Sequence, residues 1–207
     1  MKIIEGIKHK GNPYCIPDCT RDDFPEFLRE MGYKVGAEIG VYRGLYSRQL
    51  LAEGLKLYLI DPWLPYDDYI SAGGNNPVMM NTVYQDTLNN IKEFTNYEII
   101  KKTSMDALKD IPDGSLDFVY IDANHGFKYI AEDLYEWEKK ARRGGVVSGH
   151  DYFNRLFSSR NEAIQVGVVV DAYVSLKELK SWYLIGEKPA KDGEKADRYR
   201  TWFWIKK

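Results

Sequence analysis

Apolar positions recur along this chain in two rhythms. Short unbroken apolar runs end at glycine or polar residues, and longer stretches repeat their apolar positions at helical spacing. The first rhythm predicts buried strands, the second amphipathic helices. In "RDDFPEFLREMG", Phe24, Phe27, Leu28 and Met31 predict a helix with Thr20 as N-cap and Gly32 as stop. "KVGAEIG" predicts a strand, "LYSRQLLAEG" a helix ended by Gly54, and "LKLYLID" a second strand. From Pro62 to about Asn81, aromatics, prolines, Gly-Gly and Asn-Asn predict a long loop. Loops of that length often serve as binding loops or lids.

A helix over "NTVYQDTLNNIKEF" and a strand over "YEIIKK" follow. "SLDFVYIDA" predicts a central strand, and "FKYIAEDLYEWEKKA" a helix with Ile130, Leu134 and Trp137 on one side. "GGVVSGHDY" reads as a strand that breaks at Gly-His-Asp. In "AIQVGVVVDAYVSLKELK" the valines favour a strand, while the length and the place in the alternation favour a helix, which is the expectation. "SWYLIGE" and "RTWFWIKK" flank a charged turn and predict a terminal hairpin. This order of elements argues for an α/β fold: an open, mostly parallel sheet with helices on both faces and an antiparallel edge.

The 207 residues suit a single domain, with residues 1–33 as an N-terminal helical extension and 34–207 as the core. Trp202 and Trp204 suit either the sheet core or a homodimer face, the core being expected. Hydrophobic residues at 44%, charged residues at 29% and a net charge of -2 describe a soluble globular protein. They give no basic footprint for nucleic acid; "EKKARRGG" reads as an exposed helix end. "MKIIEGIKHKGNP" lacks the apolar region of a signal peptide, and no run reaches membrane length, so a cytoplasmic protein without a membrane partner is expected. Cys15 and Cys19 have no second metal-type pair and read as two thiols in an N-terminal loop.

In open α/β sheets, ligands bind beyond the carboxyl ends of the strands. Polar residues collect there. Glu38, Gly40 and Gly44 follow the first core strand, and Asp61 the second; Ser104, Met105 and Asp106 follow the third. Asp122, Asn124 and His125 come after the fourth, and His150 and Asp151 after the fifth. Glycines at the first bend let the backbone approach a ligand, and the helix that follows turns its positive end toward it. A dinucleotide fingerprint would read G-x-G-x-x-G, whereas this chain reads E-x-G-x-x-x-G. A carboxylate repels a pyrophosphate and attracts an ammonium or sulfonium. S-adenosylmethionine carries both cations and no phosphate, and Asp61 is spaced to hold its ribose.

"AEIGVYRGLYSRQLL", "YLIDPW" and the stretch from "TSMDALKDIPDG" through "IDANHGF" to "GGVVSGHDY" resemble the motifs of class I S-adenosylmethionine-dependent methyltransferases. They are most similar to the small-molecule O-methyltransferase branch that includes the macrocin and catechol enzymes. The resemblance runs from about Lys34 to Tyr152. It implies a Rossmann-like, seven-stranded sheet with an antiparallel C-terminal hairpin. It also implies a methionine-side loop of Glu38, Gly40, Tyr42 and Gly44, with Asp61 on the ribose and Trp63 bordering the adenosine. Ser104 and Met105 would flank the adenine, Asp106 would meet its amine, and Asp122 and His125 would lie near the transferred methyl.

A hydroxyl acceptor must lose a proton, which calls for a base or a metal. In metal-dependent relatives, acidic residues after the fourth and fifth strands bind magnesium; here that set would be Asp122, His150 and Asp151. The imidazole suits a transition metal better than magnesium, and His125 or His150 as general base is the alternative. The expected acceptor is a small sugar, polyol or phenol. The loop from Leu64 to Met80, with Tyr66, Tyr69, Met79 and Met80, is placed to act as a lid, and Tyr14 and the segment before the first helix to cover the other side. The alternatives are a non-catalytic nucleoside-binding module and an NAD(P)-dependent oxidoreductase on a similar sheet.

Overall fold

The computed structural model describes residues 1–65, 77–157, 162–186, 190–195, 197 and 199–207. Five strands form its parallel centre: β2 (Val35–Ile39), β3 (Lys56–Ile60), β4 (Tyr97–Ile100), β5 (Leu116–Ile121) and β6 (Ala141–Gly149). Helices α3 (Leu45–Ala52), α4 (Pro77–Ile91), α5 (Ser104–Ala107) and α6 (Phe127–Lys140) lie between them in sequence. β10 (Trp202–Ile205) pairs antiparallel with β6 and with β9 (Tyr183–Ile185), the expected terminal hairpin. The sheet order is β1-β9-β10-β6-β5-β2-β3-β4, eight strands rather than seven.

The additional strand is β1 (Tyr14–Ile16), which pairs with the edge of β9. It corrects the expectation of a purely helical extension and of a loop around Cys15. Three residues between Pro13 and Pro17 are too few to display alternation, and only the open edge of β9 turns them into a strand. The rest of the extension is α1 (Ile3–Gly6), a single 3₁₀ turn at Arg21–Asp23 and α2 (Phe24–Glu30). Thr20 and Asp23 form a reciprocal capping box ahead of α2.

Alternation along the strands feeds two cores. On one face, Phe118 and Tyr120 of β5 meet Phe24 and Phe27 of α2 and Leu50 of α3. On the other, Val119 and Ile121 meet Ile130, Leu134 and Trp137 of α6 and Val170 of α7 (Val166–Leu176). Trp202 and Trp204 are fully buried in this second core, as expected. A separate hairpin, β7 (Arg155–Phe157) with β8 (Glu162–Ile164), takes Ala163 and Ile164 out of the helix expected there. α4 starts at Pro77, inside the stretch expected to be loop; Tyr66 and Tyr69 lie outside the described residues. Among the described residues, no helix is long and apolar enough to cross a membrane.

Candidate active site

The sheet reverses its order at β2, which has β3 on one side and β5 on the other. Beyond this switch point the ends of β2, β3, β4 and β5 open into a cleft of about 640 Å³. Small-molecule sites commonly measure roughly 300–1,000 Å³. Glu38, Gly40, Tyr42, Asp61, Trp63, Ser104, Met105, Asp122 and His125 all line it. Gly44, Asp106, His150 and Asp151 do not.

The first two bends are tied together. Asp61 Oδ2 accepts the N–H groups of Val41 and Tyr42, each at 3.0 Å, and its Oδ1 accepts that of Trp63 at 2.7 Å. The Trp63 indole N–H donates to the Tyr42 carbonyl at 2.9 Å. Burial raises the Asp61 carboxyl above its ordinary range, against the pull of these three donors. Tyr42, Trp63 and Asp151 all hold positive φ, at 52°, 44° and 54°. Strain of this kind, about 1–3 kcal/mol at each residue, collects at functional sites. Gly40 has φ 89°, and a Cβ there would lie 2.2 Å from the Asp122 carbonyl oxygen. Gly44 serves a different neighbour, since its Cβ would meet Thr87 of α4.

Glu38 is 1% exposed and accepts the hydroxyl of Ser47. Burial pushes its carboxyl up to about 8, although Ser47 and the charge of Arg21 pull the other way. The side chain is therefore mostly protonated at neutral pH, and a cation beside it would draw out its charge. Its folded value lies above the ordinary 4.5, so its stabilising contribution is complete below that pH and is lost as pH rises to about 8. Glu38→Gln is expected to lose less stability than the wild type between about pH 5 and pH 8. Urea midpoints at the two pH values check this.

Arg21 was not legible as a site residue. The capping box, together with a 3.0 Å bond from its own backbone N–H to Asp197, fixes the turn that carries it. Its guanidinium crosses Tyr46 at 3.9 Å from the ring centroid and donates to Asp122 Oδ2 at 2.8 Å. Arg21 and Asp22 line the cleft where Tyr14 was expected; Tyr14 instead stacks on His9. Burial disfavours the charge of Asp122, yet Arg21, His125 and His150 hold its carboxyl well below the usual range. His125 Nε2 lies 3.4 Å from Asp122 Oδ1 and 3.1 Å from Asp151 Oδ2. Burial works against its charge too, but the two carboxylates raise it above the ordinary histidine range. His150 Nδ1 stands 3.5 Å from Asp151 and 4.0 Å from Asp122 and does not line the cleft.

Among the described residues, Asp122, His125 and Asp151 form the group whose donor atoms lie close enough to hold an ion, within 4.8 Å of one another. His125 thus takes the place expected for His150. The group does not fit magnesium, which prefers oxygen donors. A transition metal accepts a mixed set, but here Arg21 already holds one oxygen of Asp122.

Asp106 does not reach the cleft. It accepts the Thr103 hydroxyl at 2.8 Å, and its N–H donates back to the same oxygen as a helix cap. Cys19 is buried and its thiol is pushed up to about 11, which suits packing rather than reactivity.

Residues 37–152, more than half of the chain, match the family described as a methyltransferase domain, and the chain belongs to that family. No curated protein matches it by sequence. Solved structures share its fold at low identity. The O-methyltransferase TomG from Streptomyces achromogenes, involved in tomaymycin synthesis and solved with SAM, is 15% identical with a TM-score of 0.59, over 90% of this chain and 79% of that one. An O-methyltransferase from Bacillus cereus, solved with SAH, is 15% identical with a TM-score of 0.58, over 90% and 80%. Spermidine synthase from Thermotoga maritima is 14% identical with a TM-score of 0.54, over 89% and 60%. The fold is thus shared with enzymes that are not methyltransferases, and the site must carry the rest.

Proposed function

We propose that this protein transfers a methyl group from S-adenosylmethionine to a hydroxyl of a small sugar, polyol or phenol. One observation carries the reading: a single cleft runs from Glu38 and Asp61 past Ser104 and Met105 to Asp122 and His125. Glu38 and the Gly40 bend would face the methionine end, with Tyr42 beside them. Asp61 would take the ribose through lone pairs its three backbone bonds leave over. Trp63 would border the adenosine, and Ser104 and Met105 the adenine. The SAM and SAH seen in the two O-methyltransferases of like fold support this donor. Residues 1–207 act as one catalytic domain in this reading, because Arg21 of the extension reaches Asp122.

In the reaction, an acceptor oxygen attacks the methyl carbon in line with the carbon–sulfur bond. The bonding pair leaves with sulfur, giving S-adenosylhomocysteine, and the acceptor's proton passes to His125. Alignment of donor and acceptor supplies much of the rate. Asp122 and Asp151 stabilise the imidazolium that forms, while Arg21 fixes Asp122 and His150 backs the pair. No step requires a metal.

Transfer of a labelled methyl group to a panel of hydroxyl, amine and thiol acceptors tests the proposal. Labelled ether products with stoichiometric S-adenosylhomocysteine are expected. Labelling of amines or thiols alone would overturn the hydroxyl assignment, and binding of the donor without transfer to anything would favour the nucleoside-binding module. Asp61→Ala strips acceptors from three backbone N–H groups and is expected to weaken donor binding at least about tenfold, read by calorimetry.

A further inference from the structure

Asp133 stands on the face of α6 that packs against the sheet, between Ile130, Leu134 and Trp137. It is 1% exposed, and neither carboxylate oxygen closes a hydrogen bond among the described residues. The Ser104 hydroxyl is the one group nearby that steadies its charge, and burial pushes the carboxyl up to about 7. A buried, unpaired carboxyl costs stability, of the order of 1–3 kcal/mol, unless something arrives to pair with it. Asp133 lines the cleft beside Ser104 and Met105. At that end Met105 offers no strong hydrogen-bonding group, and Asp106 is spent on capping Thr103.

We infer that Asp133 reads the exocyclic amine of the donor's purine, making the site specific for a 6-aminopurine over a 6-oxopurine. The inference rests on the donor reading above. Once ionised, above about pH 7, the carboxyl accepts an amine hydrogen directly, whereas a 6-oxo group in the same place would set oxygen against oxygen. Such discrimination is strong where a buried polar group would otherwise stay unpaired.

Calorimetry on the full chain with S-adenosylhomocysteine and its deaminated analogue S-inosylhomocysteine tests this. The wild type is expected to prefer the amino form by about thirtyfold or more. Asp133→Leu, which replaces the unpaired carboxyl with an apolar group of similar shape, should fold with an equal or higher melting temperature, yet bind the two ligands with nearly equal affinity. Asp133→Asn, whose amide can turn either its acceptor oxygen or its N–H donors to the purine, should also lose most of the preference while keeping binding of both ligands. Asp133→Leu that keeps the wild-type preference, or weakens both ligands equally, would overturn the assignment. A folded wild type that binds neither ligand would remove the donor reading itself.

Discussion

Asp122→Ala is expected to slow methyl transfer at least about a hundredfold, in line with the loss of a group that orients a general base. It should also destabilise the fold. Arg21 donates to Asp122 at 2.8 Å in a mostly buried setting, and removing the carboxylate leaves the guanidinium without its partner. Breaking a fully buried pair costs about 3–5 kcal/mol, so a pair with some solvent access should lose about 2–3 kcal/mol. The Arg21→Met/Asp122→Ala double variant separates the two effects. It removes the orphaned charge and should recover much of the stability, while the rate stays low. The pH dependence carries a matching sign. Arg21, His125 and His150 hold the Asp122 carboxyl well below its ordinary range despite burial, so its contribution is present above that range and lost as pH falls through it. Asp122→Ala should therefore flatten the acid limb of a stability–pH curve.

Gly40→Ala is expected to be as damaging by a different route. The residue holds φ 89°, and an added Cβ would sit 2.2 Å from the Asp122 carbonyl oxygen, against backbone that cannot rotate aside. Positive φ costs an alanine about 1–2 kcal/mol, and the clash about 1–3 kcal/mol more. Relief would come from parting the ends of β2 and β5, where the Asp122 N–H donates to Ile39 at 2.8 Å. That movement spreads the bend tied by Asp61 away from Asp122. A drop of roughly 2–5 kcal/mol in urea unfolding, together with loss of donor binding, is the expected result. Gly54→Ala makes the control: it has a similar φ of 76° but open space around it, and it should show the backbone cost alone.

The sequence exposed most of the fold because the contrast between apolar runs and helical spacing is strong in the centre of the chain. β2, β3, β5 and α6 each fall where that contrast predicts. Residues at strand ends were legible for a topological reason: a parallel sheet places all its carboxyl ends together, whatever the side chains do. What depended on contacts distant in sequence was hidden. Arg21 reaches Asp122 across 101 positions, and the short motif around it reads only as a helix start. β1 exists through the edge of β9, and the partner of Gly44 is Thr87. That His125 lines the cleft and His150 does not depends on how β5 and β6 end, which the motif alone does not show. Asp133 did leave a trace, as a carboxylate on the apolar side of α6, where an unpaired acid is costly.

The central claim is that the first bend holds Glu38 for a cationic guest that carries no phosphate. Calorimetric titration of the full chain with S-adenosylmethionine at neutral pH, in two buffers of different ionisation enthalpy, tests it most directly. One ligand should bind per chain with release of a proton, as the incoming ammonium and sulfonium draw charge onto Glu38, and Glu38→Gln should bind more weakly without that release. A folded protein that gives no heat with S-adenosylmethionine but binds NADH, or one whose proton release is the same in Glu38→Gln, would contradict it.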